Sequence, residues 1–226
     1  GHKLNKIIIP APCKASNNMD IVFAVDATGS MGDEINYLQA ELADVINKVK
    51  QRNPNLSLNM GSVFYRDKGD SYLTVQQDLT ADIPTVMNFI KAQVADGGGD
   101  EPEAVDAAME IAIDKFKWRE EARSRVMFLV LDASPHHEKE NIEKIQKYTT
   151  MAAAKGIRII PVVCSGIDKA GEYLMRSIAL ATNGTYLFLT DHSGIEDSHI
   201  APSTDKLKVE TLNVLIEKNL QQSTSI

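Results

Sequence analysis

The chain has 226 residues, 43% of them hydrophobic and 24% charged, an ordinary composition for a soluble folded protein and enough to bury one full core. Its formal net charge of -7 and the lack of any basic stripe exclude a phosphate-backbone binder, because nucleic-acid proteins draw most of their affinity from clustered Lys and Arg. The longest apolar runs, such as residues 126–131, fall far short of the roughly 20 apolar residues that a transmembrane helix needs.

Residues 1–18 carry Pro10, Pro12 and a Ser-Asn-Asn stretch, and read as an irregular lead-in. Residues 19–25 form an apolar run broken only by Asp20, the pattern of a strand covered on both faces. Apolar residues then recur at helical spacing over 33–52 (Ile35, Leu38, Leu42, Val45, Ile46, Val49), with Pro54 just past the end. Residues 56–65 and 72–76 flank Lys68-Gly69-Asp70 and predict an antiparallel hairpin. A helix is expected over 83–94, then the triplet Gly97-Gly98-Gly99, then a helix over 103–116. Residues 125–131 read as a second buried strand. Helices at 141–154, 169–182 and 206–220 alternate with strands at 157–163 and 184–189, and residues 221–226 read as a frayed tail. Strands joined by helices of ten or more residues demand crossovers. The expectation is therefore a single α/β domain over 19–220, doubly wound, with a mostly parallel sheet, one antiparallel edge strand and helices on both faces.

In such sheets ligands bind outside the carboxyl ends of the strands, where neighbouring crossovers diverge. Three segments fall there. Asp26-Ala27-Thr28-Gly29-Ser30-Met31-Gly32 follows the first strand, Asp132-Ala133-Ser134-Pro135-His136-His137 follows the central one, and Gly97 to Glu103 precedes the third helix. Asp26, Asp132 and the hydroxyls of Thr28 and Ser30, with a third carboxylate available from Asp100, make an oxygen-only donor set. That set suits Mg²⁺, Mn²⁺ or Ca²⁺ and disfavours zinc. Alternate residues 26, 28 and 30 fit a tight loop whose short side chains turn to one point. A phosphate cradle fits poorly, since there is no GK[ST] ending and two acids would repel an anion. The bland alternative is that Asp26 and Asp132 end strands and cap helices, and Asp100 suits a cap as well as a ligand.

Asp26-x-Thr28-x-Ser30 resembles the DxTxS element of the metal-ion-dependent adhesion site in von Willebrand factor A domains. The DATGSM wording, Tyr65-Arg66-Asp67, GGGDEPEA and LDASPH resemble a subgroup that includes alpha-kinase-associated and bacterial proteins of that kind, over about residues 19–190. The resemblance implies a metal held by Asp26, Thr28 and Ser30, with Asp132 reaching it through water. It also implies a protein partner, bound in adhesion or assembly, whose acidic side chain completes the coordination, with Met31 shaping the contact surface. The second loop departs from the pattern. Where adhesion receptors place a Thr, Asp100 stands here, and an acid there would weaken the cation's demand for a partner carboxylate.

Other features are read more plainly. Arg66 either neutralises the acids or forms a surface ion pair. His136 and His137 lack a third nitrogen or sulfur ligand at helical spacing and suit partner contact or a helix start. Asn183-Gly184 reads as a turn rather than a glycosylation site. Cys13 and Cys164 are too few for a disulfide scaffold, and Cys164, after the apolar residues 159–163, reads as a buried reduced thiol. No base and nucleophile pair is evident, so an enzyme is not expected. The alternatives kept are a Mg²⁺-dependent phosphohydrolase of haloacid-dehalogenase-like type and a structural subunit of a larger complex. The former wants an acid where Thr28 stands. The start at Gly1 rather than Met and the likeness to bacterial surface domains favour an extracytoplasmic location over a cytoplasmic one.

Overall fold

The computed structural model describes residues 16–99, 102–164, 166–189, 214 and 216–220. The first strand, β1 (Asn18–Asp26), is buried along all but its first residue, as its unbroken apolar run requires. It pairs in parallel with β2 (Ser57–Tyr65) on one side and β4 (Ser124–Leu131) on the other. The edge strand β3 (Thr74–Thr80) runs antiparallel to β2. β5 (Ile157–Val163) and β6 (Leu187–Phe188) extend the far side in parallel, giving the order β3-β2-β1-β4-β5-β6.

Alternate residues of β1 feed two separate cores, because successive strand side chains point to opposite faces. Ile21, Phe23 and Val25 pack against α1 (Gly32–Arg52) and α2 (Ile83–Lys91), and Ile216 and Leu220 join the same cluster. Val22 and Ala24 face α3 (Val105–Met109), α4 (Lys139–Ala154) and α5 (Lys169–Ala181). Phe23 and Phe128 stack across β1 and β4 with ring centroids 5.2 Å apart. The crossover leaving β1 therefore covers one face and that leaving β4 the other. Their divergence opens a crevice at the carboxyl ends of these two adjacent strands.

The elements match the expected architecture, although β3 spans Thr74–Thr80 rather than 72–76 and two further elements differ. The third helix begins at Val105 and becomes a π-helical turn at Glu110–Lys115, with Phe116 N–H donating to Ile111 O over 3.1 Å. Glu103 therefore stands ahead of the helix, in a bridge with Pro135. The last strand is only two residues long. Of the C-terminal helix expected over 206–220, residues 214 and 216–220 are described and helical. No helix among the described residues is long and apolar enough to cross a membrane.

Asp20, the one charge in the β1 run, is fully buried at the amino end of the sheet. Its carboxylate accepts from Arg119 Nε at 2.7 Å and from the Arg119 amide at 2.7 Å. Arg119 also binds the carbonyls of Met19 and Ser57, tying β1 to β2 below the core. A buried carboxylate left without its cation is strongly penalised. Arg119→Ala should therefore cost about 3–5 kcal/mol of unfolding free energy in a urea titration; a loss under about 1 kcal/mol would show that the pair is dispensable.

Candidate metal centre

Asp26 ends β1 with its side chain completely enclosed. Oδ1 accepts from the Thr28 amide at 2.9 Å and from Thr28 Oγ1 at 2.8 Å, a local turn that folds the loop back on its own acid. Oδ2 is buried with no hydrogen-bond partner among the described residues. Residues Gly29–Met31 make one tight 3₁₀ turn into α1, leaving Thr28 buried and Ser30 exposed. Because Thr28 Oγ1 spends its proton on Asp26, its lone pairs remain available to a cation.

The glycine-rich segment lies directly on this loop. Gly29 N–H donates to Gly97 O at 3.1 Å, and Asp96 N–H to Ala27 O at 3.0 Å. Gly97 and Gly98 have φ of 82° and 76°, and each is closely packed. A Cβ on Gly98 would lie 2.9 Å from Thr28 Cβ, and one on Gly97 would lie 2.4 Å from the Asp70 carboxylate. Asp70 in turn accepts from the Gly98 amide at 3.1 Å.

Arg66 does more than form an ion pair or neutralise the acids. It is buried and stitches three segments together: Nε donates to Ala27 O at 3.1 Å, Nη1 to Ser71 Oγ at 2.8 Å, and Nη2 to Val94 O at 2.8 Å. Its plane lies over the Tyr72 ring at 4.3 Å, and it pairs with the exposed Asp96 carboxylate at 3.7 Å.

The third segment brings Asp132, at the end of β4, to the rim of the same cleft. The cleft is about 650 Å³ in volume and is lined by Thr28, Ser30, Gly98, Glu103, Asp132 and His137, among others. Asp100 lies outside the described residues. The acid placed in the cleft from this part of the chain is Glu103, which the helical spacing had assigned to an ordinary first turn. Its backbone is pinned to the third segment, with the Glu103 amide donating to Ser134 O at 3.0 Å and His136 N–H to Glu103 O at 3.4 Å. Its side chain is buried, and Oε2 has no partner among the described residues. No local pattern marked it, since its aim at the cleft is set by its bonds to Ser134 and His136.

Burial first, and then neighbouring acids, raise the buried carboxyls. Burial pushes the Asp26 carboxyl from 3.8 up to about 7, against the Thr28 amide, with Asp132 adding to the rise. Burial likewise pushes Glu103 to about 9, helped by Asp26, Asp67 and Asp132. Tyr65, whose buried hydroxyl has no partner among the described residues, is driven well above its ordinary value by burial and then by Asp26 and Glu103. Among the described residues no three His, Cys, Asp or Glu side chains are grouped to hold an ion by themselves. An ion here would have to draw on hydroxyls and water besides the carboxylates, which is hard-cation chemistry.

The two histidines diverge. His136 is buried with Nε2 2.5 Å from Asp67 Oδ1, while the exposed His137 lines the cleft. Cys164 is buried and free, and Cys13 lies outside the described residues. Asn183 has a φ of 55°, as a turn residue does.

A sequence profile described as the von Willebrand factor A domain matches residues 20–196. The chain is 32% identical over 119 residues to an ariadne-like RING finger protein of Acanthamoeba polyphaga mimivirus, covering 53% of this chain and 11% of that protein. It is 25% identical over 219 residues to the alpha-protein kinase vwkA of Dictyostelium discoideum, covering 94% of this chain and 34% of the kinase. The matches thus span about a tenth and a third of these curated relatives. Among solved structures, proximal thread matrix protein 1 of the mussel byssus is similar at a TM-score of 0.49 and 14% identity, covering 76% of this chain and 41% of that one.

Carboxyls whose folded pKa lies above the unfolded value bind more protons when folded, so stability falls as pH rises between the two values. For Asp26 and Glu103 that window runs from about 4 to about 9. The metal-free protein should therefore melt at a lower temperature at pH 8 than at pH 5.5, and the gap should narrow in millimolar Mg²⁺. A metal-free protein more stable at pH 8 would contradict this account of the buried acids.

Proposed function

The chain belongs to the von Willebrand factor A domain family, and from that premise we propose that it is a protein-interaction domain whose grip on its partner depends on a divalent cation at Asp26, Thr28 and Ser30. Domains of this family generally mediate protein interactions, which is the coarser part of the reading. The metal dependence rests on one observation above all: Asp26 Oδ2 and Glu103 Oε2 are buried acceptors with no partner among the described residues, Glu103 lining the cleft with Thr28 and Ser30, and Asp26 hydrogen-bonded to that same Thr28. Buried carboxylate oxygens are costly to leave unsatisfied, and a cation relieves that cost.

Mg²⁺ is the ion we favour, with Mn²⁺ and Ca²⁺ compatible with the same oxygens. When bound, the ion supplies a Lewis-acidic position open to a partner oxygen. Asp26 and Thr28 hold the floor of the site, Ser30 offers an exposed hydroxyl beside it, and Asp132 serves from the rim through water. Asp100 is retained as a further candidate. Glu103 adds a carboxylate close to the ion, which lowers the net charge a partner would meet. A partner acid is therefore less strongly demanded than in a site lacking Glu103, and a neutral carbonyl or hydroxyl oxygen becomes a competent contact.

The phosphohydrolase reading needs a general acid two residues after Asp26. Thr28 stands there and hydrogen-bonds Asp26 itself. No specific observation favours that reading.

Isothermal titration with Mg²⁺ tests the proposal. Asp26→Ala should weaken binding by at least roughly tenfold, given that even outer-sphere partners of metals are worth that much, and Glu103→Gln should weaken it by a smaller factor. Undiminished affinity in Asp26→Ala would sink the reading.

A further inference from the structure

The cleft is lined by the acids Glu103, Asp132 and Asp168 and, among the described residues, by no Lys or Arg; His137 is its one imidazole. Acids grouped on a surface are usually only solvated, but here one of them is withdrawn from water. Glu103 is 3% exposed, and its Oε2 has no partner among the described residues. A buried acceptor of that kind calls for a cation or donor from outside the described chain.

The charge at the floor of the cleft then decides which partner fits. Mg²⁺ brings two positive charges, and Asp26 and Glu103, bound as carboxylates, bring two negative ones. The charges that act most strongly on either carboxyl are those of other acids, so no neighbouring Lys or Arg tips the balance. The occupied floor is thus close to neutral even with Asp132 left out of the count, and it exerts little pull on a partner carboxylate.

Asp168 sets the sign of the rim. It is exposed at the start of α5, where its Oδ1 accepts from the Ser134 hydroxyl at 2.6 Å and from the Gly171 amide at 2.7 Å. Those bonds hold its carboxyl below the usual range, with His137 adding to the effect. Both donors are neutral, so they fix the carboxylate in place without cancelling its charge.

The span across the cleft suits an extended chain. β5 lies two strands from β1, so Asp168, which follows β5, stands roughly 10 Å from Asp26 at ~4.8 Å per strand. An extended peptide covers that distance in about three residues at ~3.3 Å each. Gly29, Gly97, Gly98, Gly99 and Gly166 line the same cleft, so main chain forms much of its wall and a partner's backbone can lie close against it.

We propose that the occupant of this cleft is a basic, extended segment of a partner protein, which sets a carbonyl oxygen on the cation and a Lys or Arg side chain against Asp168. The inference rests on the reading of the cleft as a cation site, and it reverses the sign of the partner group that the family resemblance implies.

The test is to pan a displayed library of random peptides of about twelve residues on the parent protein in Mg²⁺ at low salt, and to elute with EDTA. The eluate should be enriched in Lys and Arg by roughly twofold or more over the input, the size of one exposed ion pair. The enrichment should vanish with Asp168→Asn, which removes the charge and keeps a residue able to cap α5. If that variant fails to fold, release of the bound peptides from the parent by rising NaCl supplies the same information, because salt screens an exposed pair. An eluate enriched in Asp or Glu, one with the composition of the input, or no eluate from a parent that binds Mg²⁺ by calorimetry would overturn the proposal and leave the cation site standing. Enrichment that persists in folded Asp168→Asn, or retention insensitive to salt, would overturn it as well. A parent without affinity for Mg²⁺ would instead remove the cation site, and the proposal with it.

Discussion

Asp26 sits at the carboxyl end of the central strand with no exposure to water, and only one of its two oxygens is bonded within the described chain. A carboxylate in that position is held in the fold against its own desolvation. The arrangement around it answers that constraint. Thr28 satisfies Oδ1 twice over, the 3₁₀ turn brings the next hydroxyl to the rim, and Glu103 arrives from across the crevice with an orphaned oxygen of its own. Carboxyls raised by burial and by neighbouring acids would be a liability in a purely structural core, and groups perturbed in this way collect at functional sites.

The geometry of that cleft is maintained by groups that need never touch an ion. Arg66 binds one carbonyl of the first loop, one at the end of the α2 region and a hydroxyl after β2, so three segments distant in sequence move as one body. Gly97 and Gly98 let the glycine-rich segment press against Thr28 and Asp70 at distances that no side chain would permit. Asp67 and His136 fasten the segment after β2 to the one after β4. A site whose donors come from separate loops is only as exact as the bonds between those loops.

The sheet is also electrically polarised. Acids gather where the parallel strands end, and arginines gather where they begin, with the Asp20 and Arg119 pair closing the base of β1. The net charge of the chain conceals this division.

The parallel doubly wound sheet was legible in the alternation of apolar runs and amphipathic helices, because burial on both faces leaves a strand no polar positions and crossovers leave helices one polar stripe. The position of Asp26, Thr28, Ser30 and Asp132 at the carboxyl ends of β1 and β4 was legible too, since their spacing is local and strand ends are read directly from the apolar runs. Glu103 was not. Its role follows from a helix that starts two residues later than its periodicity suggests and from hydrogen bonds to Ser134 and His136, some thirty residues away. Arg66 was equally ambiguous, as the carbonyls it clamps belong to segments that only the folded sheet brings together. The pocket at the other end of the sheet, lined by Arg123, Arg125 and Arg158 among others, draws its residues from segments far apart in the chain. Periodicity and short-range spacing, which record burial and local turns, therefore determined the fold and the loop that carries Asp26, Thr28 and Ser30. Which acid faces that loop, which cation braces it and where the arginines meet were decided by tertiary packing, because those contacts join residues that the chain keeps far apart.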